Sequence, residues 1–308
     1  MLQQTRMEVV LGYFERFLAR FPTVAALAAA TDDDVVTAWS GLGYYRRARM
    51  LRQGALHVMQ NLGGTVPADL PTLLTIPGIG RYTAGAIASI AHGRKAPIVD
   101  GNVARITARL FAIEAPLGSP TLMREAWLYA QELVSACRDP RAFNQGLMEI
   151  GALVCRPAKP LCLICPLRSD CAAFATGRTE ELPLPKTKAE TRALTIPLYV
   201  ITDGHGAVLM RREEGKLMTD LFHLPHGNDA LLGGPTLAIT RGELVGTFRH
   251  TITDRRIEFQ VFEAALESAI HDAPGEYAWI SDLMTVPHPS YVRKALAIRQ
   301  KAKGKSRK

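Results

Sequence analysis

The stretch from Leu73 to Asp100 constrains this chain more than any other. An apolar segment leads into Ile76-Pro77-Gly78-Ile79-Gly80-Arg81-Tyr82-Thr83-Ala84-Gly85, a small-residue segment runs on to His92-Gly93, and Pro97-Ile98-Val99-Asp100-Gly101-Asn102-Val103 follows. Pro77 is expected to end a first helix, because a proline inside a helix removes a donor and collides with the preceding turn. Gly78 and Gly80 allow a tight turn that brings the bare N–H groups of the next helix up to an anion. The spacing predicts a helix-hairpin-helix suited to a nucleic-acid backbone, although a PGIG hairpin alone also serves as a structural turn. Asp100 stands on a glycine-bordered corner, where an isolated Asp-Gly-Asn would be a loop or a helix cap.

The second signal is Cys155-x6-Cys162-x2-Cys165-x5-Cys171, with Pro157, Pro160 and Pro166 folding the chain into a compact loop. Four cysteines this close are hard to explain as core packing, and a cytosolic setting disfavours disulfides. The spacing alone leaves both a four-cysteine zinc site and an iron–sulfur cluster open. Lys159 and Arg168 lie close enough to offer positive charge to phosphates, and the remaining thiol, Cys137, reads as buried and structural. A third signal is Gly41-Leu42-Gly43-Tyr44-Tyr45 followed by Arg46, Arg47, Arg49 and Arg52. Aromatics beside clustered arginines suit a strand gripped by its phosphates and wedged between its bases; the alternative is a solvated basic helix face.

Together the hairpin, the aspartate after it and the four-cysteine loop resemble the helix-hairpin-helix DNA glycosylase superfamily that includes endonuclease III. Met1-Leu2-Gln3-Gln4-Thr5, the Gly41–Tyr45 motif and a distinct C-terminal part are similar to its MutY-like, adenine-removing branch. The resemblance implies a 4Fe-4S cluster on Cys155, Cys162, Cys165 and Cys171. It implies Asp100 as the carboxylate that stabilises an oxocarbenium ion, Asn102 as its orienter, and Tyr82 as a pocket residue. Endonuclease III carries a Schiff-base lysine at the Tyr82 position; a tyrosine cannot form that adduct, so a monofunctional enzyme is expected. The resemblance further implies DNA contacts from Gln3, Gln4, Thr5, Leu42, Tyr44, Gly78 and Gly80. The substrate would be double-stranded DNA with adenine opposite 8-oxoguanine or guanine.

Two departures matter. The branch carries its general-acid glutamate two residues before the Met-Leu-Gln-Gln-Thr motif, and this sequence begins at Met1, so a start upstream is expected. The branch's Phe-Ser-His reader of 8-oxoguanine aligns with Ile252-Thr253-Asp254, where Thr253 keeps a hydroxyl and Asp254 puts a carboxylate in place of an imidazole. The competing readings are a non-catalytic iron–sulfur DNA-binding protein and a bifunctional enzyme acting on oxidised pyrimidines.

The remaining expectations concern organisation. Val10, Leu11, Phe14, Phe17, Leu18 and Phe21 mark one helix face closed by Pro22, and Thr31 with Asp34 forms a capping box. The fold class expected is multidomain: an all-α helix-hairpin-helix glycosylase domain over 1–175 with the iron–sulfur loop at 155–171, then an α+β, Nudix-like domain over 193–299. Residues 176–192 read as a linker and 300–308 as a basic tail. Ile196–Thr202 and Ala207–Arg211 are expected to pair around Asp203-Gly204-His205-Gly206, as are the strands flanking Asp254-Arg255, with a closing helix over Tyr291–Arg299. Leu209-Met210-Arg211-Arg212, Leu224-Pro225 and Phe248-Arg249-His250-Thr251 carry the Nudix-like resemblance, but no Arg-Glu-x-x-Glu-Glu cluster is present, so recognition rather than pyrophosphate hydrolysis is expected. The net charge of +8 is concentrated in the last ten residues (Arg299, Lys301, Lys303, Lys305, Arg307, Lys308), so charge argues only weakly for DNA. With no apolar run of membrane length and no leader pattern, the expectation is a cytoplasmic, nucleoid-associated bacterial monomer without a membrane partner.

Overall fold

The structure, a computed structural model, describes Met1 and residues 7–186, 192–213, 218–227, 238–252, 254–267 and 277–305. Helices fill the chain as far as residue 175: α1 (Met7–Arg20), α2 (Val24–Ala29), α3 (Asp32–Trp39), α4 (Arg46–Asn61), α5 (Leu70–Leu73), α6 (Arg81–Ala86), α7 (Gly101–Leu110), α8 (Pro120–Ala136), α9 (Pro140–Glu149) and α10 (Ala172–Ala175). Strands follow: β1 (Arg192–Val200), β2 (Val208–Glu213), β3 (Leu221–His223), β4 (Ile239–Ile252), β5 (Arg255–Leu266) and β6 (Tyr277–Ile280). A last helix, α11, spans Ser290–Lys305. An all-α part followed by an α+β part is what the sequence leads one to expect. Among the described residues no helix is long and apolar enough to cross a membrane.

Contacts divide the chain into two compact units, Met1–Leu56 with Ala189–Lys308, and His57–Lys188. In the first unit the expected capping box is present: Thr31 Oγ1 accepts from the Asp34 amide at 3.1 Å, and Asp34 Oδ2 accepts from the Thr31 amide at 3.2 Å. Val10, Phe17 and Phe21 of the α1 stripe pack with Val35, Val36 and Trp39. The strands form two three-stranded sheets, ordered β1-β5-β4 and β3-β2-β6. β5 runs antiparallel to β4 and parallel to β1, with Ile196 opposite Phe259. The strands around Asp254-Arg255 therefore pair as expected. The β1–β2 connection differs in part: β1 and β2 enter different sheets, and across the expected turn they are joined by the antiparallel Thr202–Val208 bridge and by Leu209 N–H donating to Ile201 O at 2.9 Å. α11 packs Tyr291, Val292 and Ala295 into the core, where the Tyr291 ring stacks on Phe259 at 4.5 Å.

The second unit is built on α7 and α8, whose apolar faces close a core of Val103, Ala104, Ala108, Leu122, Ala126 and Leu147. The described part of the expected linker is anchored here: Leu182 is fully buried, and Arg178 bridges Glu114 and Glu181. Two helices end in a single wider turn of π type, Ile87–Ala91 after α6 and Ile150–Val154 after α9.

Candidate active site and cysteine loop

The hairpin begins at α5, where the Asp69 carboxylate accepts from the Thr72 amide at 2.9 Å. α5 ends at Leu73, earlier than Pro77 requires, and Ile76-Pro77-Gly78-Ile79 makes a turn closed by Ile79 N–H donating to Ile76 O at 3.1 Å. Gly78 has φ +82, the left-handed conformation that favours glycine at the third position of such a turn. Gly80 caps α6 without any side-chain hydrogen bond. A helix start with no side chain on its amides leaves partial positive charge facing outward.

Gly85 has a different task. A Cβ there would lie 2.0 Å from the carbonyl oxygen of Pro97, so only glycine lets the hairpin's second helix touch the extended segment leading to Asp100. Asn144 of α9 fastens the same junction, donating to Ser89 Oγ at 2.7 Å and to Ala96 O at 2.9 Å.

Asp100 is the N-cap of α7: its Oδ1 accepts from the amides of Asn102 at 2.9 Å and Val103 at 2.8 Å. The bland reading of Asp-Gly-Asn as a cap is thus correct for one carboxylate oxygen. Capping also fixes the carboxylate in place at the positive end of a helix, where a negative charge is favoured. Tyr82 is half-buried beside it, and its hydroxyl pKa is pushed up first by burial and then by the charge of Asp100. The hydroxyl's recorded partner is Met148 Sδ at 3.8 Å. Asn102 holds Asp100 through its backbone amide, while its side-chain oxygen accepts from Arg105 at 2.8 Å.

Arg105 and Arg109, which sequence reasoning passed over, organise the other face of α7. Both are buried, at 5% and 2% exposure. Arg105 donates to Cys155 O at 2.8 Å and to Gly151 O at 2.7 Å as well as to Asn102. Burial lowers its pKa; Cys155 and Asp100 pull it back up, and Arg109 pushes it further down. Arg109 donates to Leu182 O, Arg156 O and Pro157 O and reaches Cys155 Sγ at 3.2 Å. Two arginines four residues apart on a helix rich in small and apolar residues were the available signal, and buried guanidinium groups require acceptors.

All four expected cysteines line one cleft of about 310 Å³ of atom-free space, together with Arg109, Pro160 and Phe174. Burial raises the Cys171 thiol. Among the described residues, no three His, Cys, Asp or Glu side chains converge as ligands of a single ion would. Four cysteines lining one cleft suit a group held by four thiolates.

In the other unit, Tyr44 is 54% exposed and has φ +50, an uncommon conformation for a bulky side chain. The Arg47 guanidinium lies 5.3 Å from its ring. Leu42 is instead buried at 6% exposure in the core with Trp39, a position for packing rather than for touching DNA. Gln3, Gln4, Thr5 and Thr253 lie outside the described residues.

Residues 1–131 match the model of the HhH-GPD superfamily of base excision DNA repair proteins. The human adenine DNA glycosylase is 46% identical over 183 residues, covering 59% of this chain and 33% of the human protein. This chain therefore spans about a third of that relative's length. The adenine DNA glycosylase of Buchnera aphidicola subsp. Baizongia pistaciae (strain Bp) is 35% identical over 259 residues, 82% of this chain and 73% of the relative. That match is too long to be confined to the helical part. A solved thermostable thymine-DNA glycosylase superposes with a TM-score of 0.50 at 26% identity, over 57% of this chain and 80% of its own. Hairpin, capped aspartate and cysteine loop thus occur in a sequence matching such a relative along most of its length, and the chain belongs to the adenine DNA glycosylase family of the HhH-GPD superfamily.

Proposed function

We propose that this chain carries the catalytic part of a monofunctional DNA glycosylase that hydrolyses the bond between deoxyribose and adenine mispaired with 8-oxoguanine or guanine. The observation that carries this reading is the Asp100 carboxylate, pinned by two amides at the start of α7 and flanked by the hairpin's Tyr82. With Oδ1 held, the carboxylate remains a fixed negative charge that stabilises the oxocarbenium ion as the bond to adenine breaks. The target base has to leave the stack, and the exposed, arginine-backed Tyr44 fits the wedge that fills the gap. We assign DNA-backbone contact to Gly78 and Gly80, recognition of the opposite base to Gln3, Gln4 and Thr5, and a share in that recognition to Thr253. Tyr82 offers no amine, so the sugar is attacked by water and no Schiff base forms.

Cys155, Cys162, Cys165 and Cys171 would hold a 4Fe-4S cluster, which when bound cross-links the loop through its thiolates. The shared cleft, with Arg109 on Cys155 Sγ, supports this assignment. We assign 1–175 as the glycosylase domain, 176–192 as linker, 193–299 as a Nudix-like recognition domain and 300–308 as a basic tail. The protein acts as a monomer in the bacterial cytoplasm, on the nucleoid.

The test is single-turnover adenine release from a duplex with adenine opposite 8-oxoguanine, by this chain and by the reading frame extended upstream of Met1. Release by either that Asp100→Asn abolishes, with no adduct trapped by borohydride, is the expected result. DNA binding without release by both forms would make the protein a non-catalytic DNA-binding one, and a trapped adduct would indicate the bifunctional reaction. Iron and inorganic sulfide in equal amounts support the cluster; stoichiometric zinc would replace it.

A further inference from the structure

Arg81 opens α6, and its guanidinium lies 4.0 Å from the centroid of the Trp127 ring on α8. The other arginine–aromatic contacts recorded in this molecule run from 4.9 to 6.0 Å, so this one is the tightest. Arg81 is exposed, and among the described residues its guanidinium makes no hydrogen bond or ion pair. The contrast with other arginines is sharp: Arg105 donates to two main-chain carbonyls and an amide oxygen, Arg109 to three carbonyls and a thiol sulfur, and Arg178 to two carboxylates.

A free arginine on a surface is normally mobile and loses rotamer freedom when it binds. Stacking on an indole removes much of that freedom in advance and leaves the in-plane N–H fork exposed, the geometry that matches a phosphodiester bidentately. The position is also informative. Successive residues on a helix point about 100° apart, so Arg81 faces Trp127 while Tyr82, one residue on, points a different way and places its hydroxyl against Met148 Sδ.

We propose that Arg81, held against the Trp127 ring, is a DNA-backbone contact that grips a phosphate beside the one taken by the Gly78–Gly80 turn. This rests on the reading of the chain as a DNA-binding glycosylase. It adds a charged clamp whose strength is set by a tryptophan that never touches DNA.

The experiment is equilibrium binding of the whole chain to a fluorescent duplex, mispaired or fully matched, across a series of salt concentrations, with melting temperature as the folding control. Arg81→Gln is expected to weaken binding about ten-fold on both duplexes and to lower the slope of log affinity against log salt by about one. Arg81→Lys keeps the charge and the slope but binds about three-fold more weakly, having lost the fork. Trp127→Leu is expected to keep the slope and lose affinity at temperatures where the variant is fully folded. A slope and affinity unchanged in Arg81→Gln would overturn the contact. Unchanged affinity in folded Trp127→Leu would overturn the role of the stack. Failure of the unsubstituted chain to bind any duplex would remove the underlying reading as well, which separates the two failures.

Discussion

Arg105 and Asn102 sit one helical turn apart on α7, with the guanidinium donating to the amide oxygen at 2.8 Å. The same guanidinium holds carbonyls of Gly151 and Cys155, so a single buried side chain satisfies three acceptors from the helix start and the cysteine loop. Replacing Arg105 with Leu leaves those acceptors buried without donors. Unfolding free energy is expected to fall by about 3 kcal/mol or more, read from the denaturant midpoint, and Arg105→Lys to recover only part of it because an ammonium lacks the planar fork.

Tyr44 tests whether stability and binding separate. Tyr44→Gly relieves a left-handed backbone cost of about 1 kcal/mol and forfeits a cation–π contact with Arg47 worth about 0.5–1 kcal/mol at an exposed site. The melting temperature should stay nearly constant while duplex affinity falls about ten-fold through loss of the wedge. A large drop in melting temperature would assign Tyr44 to the fold instead.

Gly85→Ala places a methyl group against the main-chain oxygen of Pro97, an atom that cannot swing aside. The cost expected is about 1–3 kcal/mol, seen as a lower melting temperature. Adenine release should slow even where the variant is folded, because the displaced segment carries Asp100.

His223 sets a pH dependence. Its ring is fully buried between the Tyr291 hydroxyl and Met218 O, and burial holds its pKa down at about 3 against an ordinary 6.5. The unfolded chain therefore takes up a proton that the folded chain refuses. Stability from this group is complete above pH 6.5 and is lost as pH falls from there toward 3, with a slope approaching about 1.4 kcal/mol per pH unit. His250 and His288, also lowered by burial, add to the slope in the same direction. Urea denaturation between about pH 4 and pH 7 should show His223→Gln losing about one proton's worth of that slope.

What the sequence made legible was local. The Thr31–Asp34 box depends on residues within a few positions of one another and stands as expected, whereas of the α1 stripe only Val10, Phe17 and Phe21 are buried and Leu11, Phe14 and Leu18 are exposed. Asp100 was legible as a helix cap from its glycine neighbour, and the shared cleft of the four cysteines from their close spacing. Arg105 and Arg109 were not, since a charged residue in a helix is assigned to solvent unless its acceptors are known, and those acceptors lie about fifty to seventy residues away. The parallel pairing of β1 with β5 escaped for the same reason: nothing near Ile196 encodes Phe259 as its partner. Leu42 was placed with Tyr44 because they adjoin in sequence, yet a turn with left-handed residues at Gly43 and Tyr44 sends one side chain inward and the other out.

The contact between Gly85 and Pro97 gives the second unit a calliper. One jaw is the hairpin and the other is the segment that presents Asp100. Because the Gly85 backbone meets the Pro97 carbonyl directly, their separation is set by a main-chain contact rather than by adjustable side-chain packing. On the proposed function, a duplex seated in the hairpin would meet the carboxylate at a set distance along the strand, and the nucleotide offered for cleavage would be measured off before any base is recognised.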